Sequence, residues 1–305
     1  MVDEVCALFR DLCNGMHLIS FFLPYLPTPA HRRRDRARVR LTEIFTKVIR
    51  SRKSSGAPTN ADDKDDDDDD MLQRLINSRY KDGRATTEAE VAGLLLALVF
   101  AGNHTSYITS TWTGIHLLSE DPTHLAAAID EQDQLTARHH GARVDYDVVQ
   151  EMTTLHRCIK ETVRLHPATP ALVRQVRKHF AVRTKEGDEY VIPEGHTVMS
   201  TVLVNHQLHH IYKNPHVYDP GRFRPGREED NVAGAFSYLG FGAGRHACLG
   251  ETFAYTQIKV LWSHLLRNFD LKMVSPFPKT EFSRMAPEPK GKVMVSYRRR
   301  RQGHA

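Results

Sequence analysis

Apolar residues recur at three- and four-residue steps through most of this chain, and that period predicts a mainly helical protein. Val5, Leu8, Phe9, Leu12 and Met16 mark a helix within residues 1–23, which Pro24, Pro27 and Pro29 then break. A second helix, strongly basic at its start, runs from Ala30 to about Lys53 with Val39, Leu41, Ile44, Phe45, Val48 and Ile49 on one face. Met71 to Tyr80 is a short helix ending at the turn Lys81-Asp82-Gly83. Thr87 and Glu90 form a capping box that opens a very long helix over residues 87–119. Its residues 91–102 are apolar all round, which predicts a helix running through a core. Glu120, Asp121 and Pro122 stop it, and helices return over about 122–138 and 145–166.

From residue 168 to 204 the pattern changes to short alternating runs. Tyr190-Val191-Ile192 and Thr197-Val198-Met199 predict strands, with a hairpin turn at Glu186-Gly187-Asp188. Residues 207–226 are a coil punctuated by Pro and Gly. A last amphipathic helix carries Phe253, Ala254, Ile258, Leu261, Trp262, Leu265, Leu266 and Phe269, read as one buried face. A final strand pair falls at 270–274 and 292–297. The expected fold class is mainly α with small β-sheets, without internal repeats.

Composition changes this picture in three places. Residues 54–70 lead from Ser-Ser-Gly-Ala-Pro into Asp62–Asp70, a nine-residue span holding eight aspartates, and are expected to be a disordered acidic linker. The net charge of +5 has local sources, Arg32–Arg34 and Arg298–Arg301, and does not call for nucleic acid. Cys6, Cys13, Cys158 and Cys248 are far apart, which gives neither a disulfide framework nor a zinc site and suits a reducing compartment. The apolar run at 91–102 is too short to span a bilayer, so no membrane anchor is expected in this chain.

The candidate chemistry centres on residues 241–250, Phe-Gly-Ala-Gly-Arg-His-Ala-Cys-Leu-Gly. Cys248 lies at or just before a helix N-terminus, where the partial positive charge favours a thiolate. Gly242, Gly244 and Gly250 permit tight turns and close approach to a flat ligand, and Arg245 offers a partner for an acidic group on it. A thiolate, a close-approach loop and an arginine are what a cysteine-held haem requires. On the long helix, small Ala101 and Gly102 leave room for a ligand, and Thr105 and His104 could together relay protons. Glu161 and Arg164 stand three apart on one helical face, close enough to pair.

The pattern Phe-x-x-Gly-x-Arg-x-Cys-x-Gly resembles the haem-binding loop of the cytochrome P-450 superfamily, the haem-thiolate monooxygenases. Glu161-x-x-Arg164 and Pro220-Gly221-Arg222-Phe223 resemble two further elements of that superfamily. The resemblance implies a buried structural triad of Glu161, Arg164 and Arg222. His104-Thr105-Ser106, together with Asn14-Gly15-Met16, Thr111-Trp112-Thr113-Gly114 and Ile211-Tyr-Lys-Asn-Pro215, resembles the sterol 14α-demethylase family, and its plant obtusifoliol branch most.

What the resemblance implies is specific. Residues 1–305 would be the C-terminal part of one cytochrome P-450 domain, incomplete at the N-terminus. Its long central helix would span 87–119, and its haem-binding loop and following helix 234–269. Cys248 would be the axial thiolate ligand of a haem iron. Arg245, Arg174, His246, Phe241, Gly242, Gly250, Ala101 and Gly102 would contact the haem. His104 and Thr105 would be catalytic, and Leu96, Ala97, Phe100, Ala101 and Leu172 would face a sterol. An NADPH-dependent reductase would supply electrons and dioxygen the oxidant. Membrane association at the cytosolic face of the endoplasmic reticulum is expected of the family.

Three departures open alternatives. Ala168-Thr-Pro-Ala-Leu-Val173 and Ala286-Pro-Glu-Pro289 are unlike the bulkier apolar residues the demethylases place against substrate, which favours a triterpene or another polycyclic substrate. The missing N-terminal third favours an inactive truncated remnant.

Overall fold

The computed structural model of the chain describes residues 2–300 except 17–19, 21, 22, 24, 55–69, 120, 142, 284 and 285. The break expected at Pro24, the stop at Glu120 and almost all of the acidic linker lie outside the described residues. The chain forms two compact units, residues 1–104 with 283–285, and residues 105–282 with 286–305.

The first unit is helical. Helices α1 (Val2–Asn14) and α2 (Pro29–Ser54) pack through Phe9, Leu12 and Leu41, and Leu96 and Phe100 lie against that cluster. A short helix α3 (Met71–Asn77) begins on an Asp70 carboxylate that accepts the Gln73 N–H at 2.9 Å. Leu72, Leu75 and Ile76 of α3 pack on Ile49, Val91 and Ala92. The long helix α4 (Glu88–Leu117) opens on the reciprocal box, Thr87 N–H to Glu90 Oε2 at 2.7 Å and Glu90 N–H to Thr87 Oγ1 at 3.3 Å. Arg84 and Thr87 together hold the Glu90 carboxyl down at about 2.

The core expected around residues 91–102 is only half there. Val91 and Ala92 are buried, but Leu94, Leu98 and Val99 are exposed. An all-round apolar helix therefore does not imply an all-round protein neighbour. By length and composition the whole of α4 also reaches what a membrane-spanning helix needs, a test the 91–102 run alone does not meet. Its C-terminal half is nonetheless a packed protein helix, with Ile108, Trp112, Thr113, Ile115 and His116 buried.

The second unit is built around α5 (Pro122–Arg138), α6 (Tyr146–Glu151), α7 (Thr153–Leu165) and α9 (Glu251–Asn268), with the one-turn helix α8 (Val202–Asn205) between strands and coil. Leu117, Ala128, Leu135, Val149, Leu155, Ile159, Ile258, Trp262 and Leu266 form its core. The helix expected over 145–166 is broken at Met152. The cause is a distant carboxylate: Glu131 of α5 accepts the first amides of α7, at Thr154 and, at 3.0 Å, Leu155. That gives α7 an N-terminus of its own.

The buried face of α9 also differs from its apolar stripe. Tyr255, Ile258, Lys259, Trp262, Ser263 and Leu266 are buried, whereas Phe253 and Leu261 are exposed. The two polar members are satisfied inside, Lys259 Nζ by the Val149 carbonyl at 3.1 Å and Ser263 Oγ by Gln132 Oε1 at 2.7 Å. Burial lowers the Lys259 pKa.

Four antiparallel pairs make the sheets among the described residues. Strand β1 (Ala171–Gln175) pairs with β4 (Thr197–Thr201), and β2 (Phe180–Arg183) with β3 (Glu189–Ile192) across a turn where Gly187 has φ +98°. Strand β5 (Phe269–Met273) pairs with β8 (Val295–Arg299), and β6 (Thr280–Glu281) with β7 (Glu288–Pro289).

Candidate functional site

The Cys248 loop is fixed from its own backbone outward. The Cys248 N–H donates to the Phe241 carbonyl at 2.8 Å, and the Gly242 N–H to the Leu239 carbonyl at 3.0 Å. Gly242 at φ +72° and Gly244 at φ +67° occupy left-handed backbone that side-chain-bearing residues avoid. Gly250, at φ −96°, is the N-cap of α9 and does not use that freedom. Its N–H donates to Cys248 Sγ at 3.3 Å, which aims a donor at the sulfur.

Cys248 is exposed, unlike Cys158, which is 1% exposed in the core and whose thiol burial pushes up to about 12. A sulfur presented outward on a hydrogen-bonded loop can take a metal, and a protonated thiol inside a core cannot. Leu249 is fully exposed and Phe236 and Phe253 are largely so, leaving apolar surface on residues flanking the sulfur's loop. Arg245 and His246 are exposed in a 3-10 turn, Gly244–His246, with no hydrogen-bond partner among the described residues. Phe241 is half-buried and its ring lies 5.2 Å from that of Tyr255. This donor set, an outward sulfur with an uncommitted guanidinium and imidazole and an apolar rim, fits a flat, acidic, iron-bearing group such as haem.

Other expected contacts are more scattered. Arg174 lies on β1, exposed, and donates to the Val173 carbonyl at 2.9 Å. Leu172 is half-buried on the same strand. Ala286 is buried with Ile108 and Trp112, and the Trp112 indole N–H donates to the Pro287 carbonyl at 3.2 Å. That turn packs on α4 in the second unit.

In the first unit, Ala97 and Ala101 are exposed, but Leu96 and Phe100 pack on the Phe9, Leu12 and Leu41 cluster. The single substrate face expected from Leu96, Ala97, Phe100 and Ala101 is therefore two faces. Residues one apart on a helix point about 100° from each other, and the bulkier two went to the core. Gly102, His104 and Thr105 are half-buried, and the His104 ring stacks 6.3 Å from Phe100. The helix runs unbroken through all of them.

The charged lock is fully enclosed. Glu161, Arg164 and Arg222 each have 0% exposure. Arg164 clasps Glu161 with two bonds, Nε to Oε2 at 2.7 Å and Nη2 to Oε1 at 2.9 Å. Arg222 Nε reaches the same Oε1 at 3.0 Å, and the Asp219 N–H donates to it at 2.9 Å. Further guanidinium hydrogens go to the carbonyls of His206, Val217 and Lys213.

Two members were missed from sequence. Glu229 accepts from Arg222 Nη1 at 2.5 Å and from the more exposed Arg227 at 2.6 Å, so the buried pair Arg164 and Arg222 faces two carboxylates, Glu161 and Glu229. His206 bonds Arg164 at backbone and side chain alike. The sequence signals for Glu229 were an acid seven residues beyond Arg222 and the stretch Gly226-Arg-Glu-Glu-Asp230, which also resembles the demethylase family but gave Glu229 no role.

A sequence model of the cytochrome P450 family matches residues 1–295. The chain is 55% identical over 300 residues to the sterol 14-demethylase of Arabidopsis thaliana, covering 98% of this chain and 59% of that protein. It is 54% identical over 301 residues to the obtusifoliol 14-alpha demethylase of Sorghum bicolor, covering 99% and 59%. Identity to the lanosterol 14-alpha demethylase of Bos taurus is 37%, covering 98% and 56%. The chain thus spans roughly three fifths of the length of these relatives. Among solved structures it resembles the retinoic-acid-bound cyanobacterial CYP120A1, with a TM-score of 0.80 at 22% identity, over 97% of this chain and 63% of that one. That likeness concerns the fold.

Proposed function

Because the chain belongs to the cytochrome P450 family, whose members carry a cysteine-ligated haem, we propose that it forms the haem-bearing part of a sterol 14α-demethylating monooxygenase. The observation that carries the reading is Cys248, an exposed thiol with a Gly250 amide aimed at it, on a loop that Gly242 turns in left-handed backbone. The relatives named as plant sterol and obtusifoliol demethylases, at 54–55% identity, favour a sterol over a triterpene.

Thiolate-held haem supplies dioxygen activation when bound. What the chain's own residues do is separable from that. Cys248 gives the sulfur, and the Gly250 N–H stabilises its negative charge. Arg245, Arg174 and the His246 imidazole are the partners for acidic groups on the ring's edge. Phe241, Gly242 and Gly250 shape the loop on which it rests, and Ala101 and Gly102 leave space on α4. Thr105 and His104 offer a hydroxyl and an imidazole for proton delivery. Leu172, Ala97 and Ala101 offer apolar surface to the sterol. Electrons come from an NADPH-dependent reductase at the cytosolic face of the endoplasmic reticulum membrane.

The test is the reduced, carbon-monoxide-bound difference spectrum of the chain supplied with haem. A strongly red-shifted Soret band that Cys248→Ser abolishes, followed by a spin-state shift on adding obtusifoliol, supports the reading. The same band in Cys248→Ser defeats the assignment of the ligand. A thiolate band with a response to triterpenes and none to sterols transfers the substrate to that class.

A further inference from the structure

His206, already tied to Arg164 of the charged lock, is completely buried between that lock and the start of the cysteine loop. Its partners dictate its chemical form. His206 Nδ1 lies 3.0 Å from the Arg164 carbonyl oxygen, which can only accept, so Nδ1 carries the hydrogen. The Leu239 backbone N–H, which can only donate, points at His206 Nε2 at 2.8 Å, so Nε2 carries the lone pair. Neither a cation nor the other tautomer satisfies both neighbours.

The residue is also tied from behind, because Arg164 Nη1 donates to the His206 carbonyl at 2.8 Å. On the far side the connections run directly into the site. The Leu239 carbonyl accepts from Gly242, and the Phe241 carbonyl accepts from Cys248. Between them Gly240 is pressed against α7, where an added Cβ would lie 2.5 Å from Val163 Cγ1. Neighbouring clamps share the work of holding this segment. Tyr212 Oη donates to the Ser237 carbonyl at 2.9 Å, and Asn205 Nδ2 to that of Phe236 at 3.4 Å.

We propose that His206, as the neutral Nδ1–H tautomer, is a positioning residue that registers the Cys248 loop on the buried Glu161–Arg164–Arg222 lock. The proposal deepens the assignment of Cys248 as the ligand and rests on it for its functional meaning. The groups facing the ring are the Arg164 guanidinium and the phenols of Tyr212, edge-on at 6.1 Å, and Tyr238, stacked at 5.1 Å. None of them is an acid that would favour an imidazolium. Burial, reinforced by the Arg164 charge, pushes the ring's pKa down to about 4, so the required tautomer persists through neutral pH.

The experiment reads the loop without reading catalysis. Nitrogen-15 spectra of the full wild-type chain report the His206 tautomer directly. The expected pattern is one protonated and one lone-pair ring nitrogen, Nδ1 and Nε2 respectively, unchanged down to about pH 4. Amide exchange is then compared in wild type, His206→Ala and His206→Gln. Alanine should speed exchange at Leu239, Gly242 and Cys248 by tenfold or more and leave β2 and β3 unchanged. Glutamine, with a donor and an acceptor on one amide, should restore part of the protection.

An Nε2–H tautomer or an imidazolium at pH 7 overturns the proposal in the wild-type chain, even where the alanine variant fails to fold. So does a folded alanine variant with unchanged exchange at Leu239 and Cys248. Failure of Cys248 to ligate iron leaves all of these readouts intact, so the two assignments fail separately.

Discussion

Single residues here divide by whether their charge is enclosed. Glu161 is fully buried and answers two arginines, so Glu161→Ala would strip Arg164 of its carboxylate inside the protein and leave Arg222 with Glu229 alone. The expected loss is roughly 3–5 kcal/mol in denaturant unfolding of the second unit. Arg298 with Asp270, both exposed, is the contrast, and Arg298→Ala should cost less than about 1 kcal/mol. Equal losses in the two variants would refute the distinction. Glu161-x-x-Arg164 was legible because both partners sit one turn apart on a helix. Glu229 and His206 were not, because a coil brings them in and no period marks a coil. The same enclosure gives a pH dependence. His116 and His166, with Nε2 atoms 3.0 Å apart, share one hydrogen between them, and Trp112 stacks on His166 at 3.7 Å. Burial holds the pKa of His116 well below the usual value and that of His166 at about 3. The unfolded chain therefore binds more protons than the folded one below about pH 6.5, and stability must fall as the pH drops from there toward 3. Urea unfolding between pH 7 and 4 should show a falling midpoint, and a flat profile would contradict the buried neutral pair.

At the scale of elements, the sequence pattern located helices well and their inward faces less well. The capping box at Thr87 and Glu90 placed the start of α4 to within one residue, since a cap is a local device. The break at Met152 escaped because its cause, Glu131, is donated from another helix twenty-odd residues away. Glu131→Ala should therefore fray the first turn of α7 and cost about 1 kcal/mol, as losing a helix cap does. Faster amide exchange confined to Thr154 and Leu155 would show it, and unchanged exchange there would mean that the carboxylate does not set the boundary. The stripe on α9 misled for a related reason. Lys259 and Ser263 are buried because particular acceptors await them, while Phe253 and Leu261 remain outside, and hydrophobicity alone cannot rank those outcomes. Packing between elements is tight enough to specify a glycine. Trp262 donates to Ser110 at 3.1 Å, and its ring lies so close to Gly114 that an added Cβ would stand 2.2 Å from Cζ2. The indole is rigid and hydrogen-bonded, so Gly114→Ala should destabilise the second unit by roughly 1–3 kcal/mol and perturb Trp262 fluorescence.

The whole molecule presents its candidate chemistry outward. Cys248, Leu249 and Phe253 are exposed in the second unit, as are Leu94, Leu98 and Val99 in the first. A native chain covers a large part of its apolar surface, and stability falls short when a surface meant for a ligand lacks it. The Cys248 motif was legible in sequence because the haem-binding loop it resembles is a fixed order of residue types over ten positions. The apolar surface around it carried no such signature, because the sequence shows hydrophobicity and not what covers it. If haem is that cover, its binding must appear as stability by mass action, about 4 kcal/mol at a thousandfold excess over the dissociation constant. With each kcal/mol worth roughly 2–4 °C in a chain of this size class, haem should raise the melting temperature by on the order of ten degrees. The same addition to Cys248→Ala, which removes the sulfur and leaves the exposed apolar residues, should recover only a small part of that rise. An equal rise in both proteins would mean that haem is held by apolar contact alone. The outward thiol would then not be what the loop is built to present.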